Sequence, residues 1–223
     1  MDSAAALTQV EERIARACTI AKREREEVNL IAVSKTHPVD RIEPVLEAGQ
    51  RLFGENRVQE AQDKWPELRE QYPDVELHLI GQLQSNKAED AAALFDVIHS
   101  LDRPSLLKAL AKAYDKLGRR VPCFIQVDVG EEDQKGGCAI ADLPALIDQA
   151  REAEIPLLGL MCIPPHDKEP APFFALLGEL ARRHEPEPGA WGLSMGMSSD
   201  YETAIMLGAT QIRVGSALFG ERG

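Results

Sequence analysis

Hydrophobic and polar positions alternate in blocks along the chain, and two kinds of block recur. Short apolar runs rich in β-branched residues predict buried strands, and longer segments with apolar residues three and four positions apart predict helices. Eight runs predict strands, at 28–33, 51–53, 76–80, 95–98, 123–129, 157–161, 192–194 and 211–214. Helical patterns lie between them, for example at 39–48, 56–70, 104–117, 143–153 and 172–183.

This alternation of strand and helix is typical of a parallel sheet. Eight such units in about 200 residues predict an α/β fold with a single closed (β/α)8 TIM barrel. We expect the barrel to form one domain over residues 1–223, since no low-complexity linker divides the chain. A doubly wound open sheet is the alternative, because strands buried on both faces look the same in either architecture.

An additional helix is predicted before the first strand. Leu7, Val10, Ile14 and Ala17 are spaced three and four apart and form one apolar stripe. Such a stripe must be buried, so we expect this extra N-terminal helix to pack on the outside or base of the barrel. A helix that binds a partner protein is the alternative.

The charge balance restricts the partners. The chain has 25 basic and 37 acidic residues, a net charge of −12, which argues against nucleic acid or an anionic membrane. The N-terminus lacks the pattern of a signal peptide, and no run approaches the roughly 18 apolar residues of a membrane span. The 4 cysteines lack metal-binding spacing. We therefore predict a cytoplasmic protein with reduced thiols and no metal.

Lys35 is the most informative polar residue, because it follows the first strand directly. In a barrel, functional groups come from the carboxyl ends of strands and the loops after them. Desolvation or a nearby cation would lower the pKa of such a lysine and free its amine for imine formation. A lysine whose amine simply reaches water from a strand end is the alternative.

Glycine and serine are concentrated after the last two predicted strands, at 192–198 and at Gly215 and Ser216. Barrels commonly bind phosphate with the loops in this region. Glycine lets the backbone approach an anion closely, and serine hydroxyls add donors. A lysine imine together with a phosphate site is what pyridoxal 5′-phosphate requires.

These residues belong to longer stretches that resemble the pyridoxal phosphate homeostasis proteins, the YggS/PROSC family. The barrel of that family is similar to the barrel domain of bacterial alanine racemases. The matching stretches are 32–36, 53–56, 58–60, 78–87, 159–161, 193–198, 213–216 and 219–220.

The resemblance implies a cofactor site and roles for its residues. The implied site residues are Lys35, Asn56, Ser194, Ser198, Arg213, Gly215 and Ser216. In this resemblance Lys35 carries the cofactor, Arg213 faces the pyridine nitrogen, and residues 198, 215 and 216 hold the phosphate. Because arginine has donors only, it would keep that nitrogen unprotonated and weaken the ring as an electron sink.

The resemblance implies a protein of intracellular cofactor homeostasis that buffers, protects or delivers pyridoxal phosphate. Apo-enzymes that need the cofactor are then its expected partners, and a monomer is expected. We expect no strong catalytic turnover, and hence no established catalytic residue.

A pyridoxal phosphate-dependent amino-acid racemase is the alternative. Racemisation needs an acid or base on each face of the substrate. In alanine racemases, as the resemblance implies, a tyrosine of a separate C-terminal β domain supplies the second one. This chain ends at Gly223, after the eighth unit, and Tyr72, Tyr114 and Tyr201 are not obvious replacements. A barrel aldolase that uses Lys35 without the cofactor is a third hypothesis.

The five histidines do not form a cluster in the sequence. We expect His37 and His78 near the mouth of the barrel, as packing or hydrogen-bonding residues.

Overall fold

The computed structural model of the chain describes residues 3–132 and 136–220. In these ranges eight parallel strands form a closed barrel in sequence order. β1 completes the closure by pairing with β2 (Ala32 opposite Phe53) and with β8 (Ala32 opposite Val214). The predicted TIM barrel is confirmed, and the open sheet is wrong. The strands are β1 (Asn29–Val33), β2 (Leu52–Glu55), β3 (Glu76–Leu79), β4 (Val97–Leu101), β5 (Cys123–Gln126), β6 (Leu157–Met161), β7 (Gly192–Met197) and β8 (Gln211–Val214).

Helices surround the barrel, and the extra helix predicted at the N-terminus is present. The α-helices in the described ranges are α1 (Ser3–Ala21), α2 (Val39–Glu47), α3 (Val58–Gln71), α4 (Ala88–Leu94), α5 (Pro104–Leu117), α6 (Leu143–Glu152), α7 (Ala171–His184), α8 (Tyr201–Met206) and α9 (Ser216–Phe219). The apolar stripe of α1 is buried against α2, α8 and α9 on the outside of the barrel, as predicted.

The predicted strand boundaries are wrong by a few residues at three strands. Phe95 is buried but belongs to the end of α4, so β4 begins at Val97. The run at 123–129 leaves the sheet after Gln126, although Val127 still bridges to Cys138. β7 continues to Met197. Apolar runs continue past strand ends because buried loop residues are apolar as well.

Three short segments lie outside the described ranges: 1–2, 133–135 and 221–223. The single domain over 1–223 therefore stays a prediction. Most of the acidic loop at 131–135, which the sequence predicts to be solvated, falls in the second of these gaps.

The core has two unequal parts separated by the barrel wall. The larger one lies between the strands and the helices and contains the biggest buried side chains, among them Trp65, Phe53 and Phe95. A small apolar cluster of Val97, Phe124 and Met161 is separate from it. These three residues come from the neighbouring strands β4, β5 and β6.

None of the described helices combines the length and apolar character that a bilayer-spanning segment requires. Within the same ranges, histidine, cysteine and acidic side chains form no group suited to hold a metal ion. The four cysteines are buried, with no disulfide between them.

Candidate functional site

A cavity of about 690 Å³ opens at the carboxyl ends of the strands, where the sequence predicts the site. Six of the seven predicted site residues line it: Lys35, Asn56, Ser198, Arg213, Gly215 and Ser216. The seventh, Ser194, is completely buried and is hydrogen-bonded to the side chain of Arg213. The structure thus places Ser194 behind the lining of the cavity.

Lys35 points into the cavity because side chains alternate across the wall of the barrel. Its neighbour Ser34 points outward, where the Ser34 hydroxyl donates to Glu55 Oε1 at 2.7 Å. β1 ends at Val33, and Thr36, directly after the lysine, has the left-handed backbone (φ 65°) of a tight turn. Lys35 is therefore held at the junction of a strand and a tight turn.

A buried carboxylate anchors the backbone just before Lys35. Glu55 lies on the outer side of β2 and is not exposed to solvent. Besides Ser34, it accepts a hydrogen bond from the indole N–H of Trp65 at 3.1 Å, and its Oε1 lies 2.7 Å from Lys64 Nζ. Lys64 also donates to the backbone carbonyl of Ser34 at 3.1 Å.

A second carboxylate anchors the turn after Lys35. Glu60 accepts a hydrogen bond from the backbone N–H of Thr36 and forms an ion pair with Lys64 at 3.0 Å. Although burial raises the pKa of Glu60, the Thr36 amide and the Lys64 ammonium outweigh it and lower that pKa below its usual value. We call Ser34, Glu55, Glu60, Lys64 and Trp65 the outer polar network.

A bulge near the end of β7 directs its last residues toward the cavity. Ser194 pairs with Gln211, but the next pair joins Met197 to Arg213, so β7 has one more residue than β8 in this stretch. Gly196 adopts φ 93° here, and a Cβ atom would lie 2.6 Å from the side chain of Ala204. Glycine is therefore required for this bend.

The turns after β7 and β8 present hydrogen-bond donors to the cavity. Ser198 Oγ accepts from the backbone N–H groups of Gly215 at 3.1 Å and Ala217 at 3.4 Å. Its two lone pairs are then used, and its proton remains to be donated to a ligand. Among the described residues, the backbone N–H groups of Ser199 and Ser216 make no hydrogen bond. Such a group of donors suits an anion.

Arg213 provides a positive charge at the cavity although only 4% of its surface is exposed. Its guanidinium donates to Ser194 Oγ at 2.6 Å and to the backbone carbonyl of Cys162 at 2.9 Å. Burial lowers its pKa from the usual arginine value, and the carboxylate of Asp200 opposes this shift. Three of its five N–H donors remain for a ligand.

Two of the five histidines, which are far apart in the sequence, meet in the structure. His78 Nδ1 lies 2.8 Å from His99 Nε2 inside the barrel, and His99 Nδ1 lies 2.8 Å from Ser194 Oγ. β3 and β4 are neighbours, and both side chains point inward. His99 was missed, although a histidine within the run Val97–Leu101 is a signal, since a fully buried strand seldom carries one.

Two other histidines lie at the cavity. His37 lines it, as predicted, and stacks on Phe219 with ring centroids 4.9 Å apart. His166, in the loop before α7, also lines it and was missed by the sequence analysis. A histidine in a loop is not unusual, unlike a histidine within an apolar strand, so the sequence around His166 does not indicate a site. His78, by contrast, does not line the cavity.

Comparison with known proteins gives a consistent result over nearly the whole chain. The family described as the N-terminal domain of alanine racemase matches residues 6–223. A "Pyridoxal phosphate homeostasis protein" from Aquifex aeolicus is 39% identical, with 100% of this chain and 99% of that protein covered. One from Escherichia coli strain K12 is also 39% identical, with 99% and 97% covered.

Solved structures agree with these sequence matches. PipY of Synechococcus elongatus, in a structure with pyridoxal phosphate bound, is 40% identical with a TM-score of 0.81, covering 95% of this chain and 100% of PipY. Alanine racemase from E. faecalis is only 16% identical with a TM-score of 0.70, and 59% of its length is covered. The second likeness shows the fold alone.

Proposed function

The chain belongs to the pyridoxal phosphate homeostasis proteins of the alanine racemase N-terminal domain family, and from this membership we propose that it binds pyridoxal 5′-phosphate as an imine on Lys35. The observation that carries the proposal is the composition of the cavity. One lysine, one buried arginine and a group of backbone and hydroxyl donors line the same space.

The donors present fit the groups of the cofactor. Ser198, Gly215 and Ser216 belong to the turns that would hold the phosphate, with the proton of Ser198 and the amide of Ser216 directed to it. Arg213 would face the pyridine nitrogen, and Asn56 lines the same cavity. The bound cofactor supplies a reactive aldehyde, and Lys35 supplies the amine. Ser194 contributes through Arg213.

The direct test is the absorption spectrum of the apo-protein during titration with pyridoxal phosphate. We expect wild type to develop the visible band of a protein-bound imine and Lys35→Ala to show no such band. Lys87→Ala is the matched control, since Lys87 pairs with Asp90 on the surface. An unchanged band in Lys35→Ala would overturn the proposal.

We further propose that the protein serves cofactor homeostasis and delivers pyridoxal phosphate to apo-enzymes as a monomer. Loaded protein, freed of unbound cofactor, should activate the apo-form of a pyridoxal phosphate enzyme. Lys35→Ala, treated in the same way, should activate it no more than buffer. Sedimentation of the loaded protein should give the mass of one chain. Equal activation by both proteins, or sedimentation as a dimer, would contradict these two points.

The racemase alternative requires a second acid or base, and among the described residues no tyrosine lines the cavity. Tyr114 is buried and donates to the backbone carbonyl of Val121 at 2.8 Å. Tyr201 is buried where α8 meets α1, and Arg13 lies over its ring. An imidazole, from His37 or His166, would have to serve instead.

The two functions can be separated by following the chirality of D- and L-amino acids mixed with the loaded protein. We expect turnover no faster than that of free pyridoxal phosphate. Turnover well above that rate, lost in a His166→Gln variant, would establish the racemase.

A further inference from the structure

A continuous chain of polar side chains crosses the interior of the barrel below the cavity. Arg213 Nη1 lies 2.6 Å from Ser194 Oγ, and Ser194 Oγ lies 2.8 Å from His99 Nδ1. His99 Nε2 is 2.8 Å from His78 Nδ1. His78 Nε2 is 3.1 Å from Glu76 Oε1, within ion-pair distance but off the axis of a well-aligned hydrogen bond.

The two ends of this inner polar chain lie at opposite ends of the barrel. Arg213 lines the cavity at the carboxyl ends of the strands. Glu76 is the first residue of β3, and 48% of its side chain is exposed. Between them, His78, His99 and Ser194 are each at most 2% exposed. Water therefore reaches only the carboxylate end and the cavity.

The carboxylate of Glu76 sets the direction of the hydrogen bonds. Arginine only donates, so Ser194 Oγ accepts from Arg213, but serine has two lone pairs and this end alone allows either direction. A carboxylate only accepts, which places the proton of His78 on Nε2 and leaves His78 Nδ1 to accept from His99 Nε2–H. His99 Nδ1 then accepts from the hydroxyl of Ser194.

We propose that His99, His78 and Glu76 are positioning residues, which hold Ser194 and through it the guanidinium of Arg213 in one orientation. Both histidines are neutral, and both are in the Nε2–H tautomer. A hydroxyl without such a partner would rotate and offer Arg213 a lone pair only part of the time. The ring of His99 also packs on Phe124, with ring centroids 4.6 Å apart.

A buried guanidinium needs this support. Among the described residues Arg213 forms no ion pair, although it is buried and polar groups without partners are costly in such a place. Ser194 and Cys162 leave three N–H donors of an arginine that lines the cavity. The inference rests on the proposed function only where it names the ligand of Arg213, because the direction of the bonds belongs to the protein alone.

The first experiment is 15N NMR of the histidine side chains in the apo-protein near neutral pH. The nitrogen shifts distinguish the two neutral tautomers from the charged ring, and His78→Gln and His99→Gln variants assign the signals. We expect both rings to be neutral Nε2–H tautomers. A Nδ1–H tautomer or a charged ring at either position would overturn the inference, whether or not Lys35 forms an imine.

The second experiment measures the affinity for pyridoxal phosphate. His99→Leu should weaken it about tenfold, the effect of losing roughly one hydrogen bond that orients Ser194 toward Arg213, while the imine still forms on Lys35. His99→Gln, which keeps one donor and one acceptor, should restore part of the affinity. Phe124→Leu, which alters packing beside His99 but not the chain, is the control.

Wild-type affinity in folded His99→Leu would overturn the positioning role. So would an equal loss in Phe124→Leu, because the effect would then come from packing alone. Absence of the imine in wild type, with both tautomers as expected, would instead overturn the proposed function and leave the inner polar chain intact.

Discussion

The outer polar network and the inner polar chain lie on opposite sides of the barrel wall and differ in charge. The outer network combines two carboxylates with one ammonium, and only its edges reach water. The inner chain has two histidines and a serine between an arginine and a carboxylate. The outer polar network holds the backbone around Lys35, and the inner polar chain holds the side chain of Arg213.

The difference follows from what each side of the wall can accommodate. Outside, α3 brings Glu60, Lys64 and Trp65 against β1 and β2, so opposite charges can meet around Glu55. Inside, a further charge would be removed from solvent, which is costly. Neutral groups with a fixed direction of hydrogen bonding can support Arg213 there without adding charge. Lys35 and Arg213 are therefore held at the cavity in two different ways, Lys35 by ion pairs outside the wall and Arg213 by neutral hydrogen-bonding groups inside it.

The largest expected effect concerns the buried charge of the outer network. In Glu55→Gln, amide hydrogens can face the donors of Lys64 and Trp65, so we expect a loss of about 3 kcal/mol in the free energy of unfolding. Urea unfolding measures it. Glu89→Gln breaks the exposed Lys116–Glu89 pair and should cost less than about 1 kcal/mol. Equal losses in the two variants would show that the outer network is not specially stabilising.

The sequence predicted much more of the outer side of the barrel than of the inner side. Strand runs and helix stripes identified the barrel because apolar periodicity reports on burial, and Lys35 was found because it follows a strand directly. Ser194 was assigned to the cofactor site but lies behind Arg213. The sequence around a residue can indicate that it is polar and buried. It does not indicate which other strands carry its hydrogen-bond partners.

His99 and Lys64 illustrate the same limit. His99 contacts His78, 21 positions earlier, and Ser194, 95 positions later, and Lys64 contacts Ser34, 30 positions earlier. Such contacts depend on the closure of the barrel and on which face each residue occupies. The spacing of residues in one strand or helix does not contain this information.

The next largest effect is a pH dependence of the free energy of unfolding, which comes from His99 in the inner polar chain. Burial lowers the pKa of His99 well below 6.5, and the charge of Arg213 acts in the same direction. Below about pH 6.5 the unfolded chain binds a proton at this residue and the folded chain does not, so stability should fall by up to about 1.4 kcal/mol per pH unit on acidification. Urea unfolding over this range measures the slope.

The slope should become smaller in His99→Gln, because the titrating group is gone. Its neighbours within the barrel are His78, Arg213, Ser194 and the ring of Phe124. His166→Gln removes an exposed imidazole and should retain the wild-type slope. A His99→Gln variant with the full wild-type slope would show that His99 is not held neutral.

The smallest expected effect concerns the hydrogen bond from Trp65 to Glu55 in the outer polar network. Trp65→Phe retains an aromatic ring but removes the indole N–H that donates to Glu55, and should lower the free energy of unfolding by about 1 kcal/mol more than a control. The control is Trp191→Phe, since the indole of Trp191 makes no hydrogen bond among the described residues. No difference between the two variants would contradict a contribution from this bond.

The most direct test of the central claim is borohydride reduction of the protein loaded with pyridoxal phosphate, followed by proteolysis and mass spectrometry. Reduction converts the imine into a stable secondary amine, so the modified lysine can be identified in its peptide. We predict that the label lies on Lys35, with one cofactor per chain. A label found mainly on another lysine, or no label above that of denatured protein, would contradict the account.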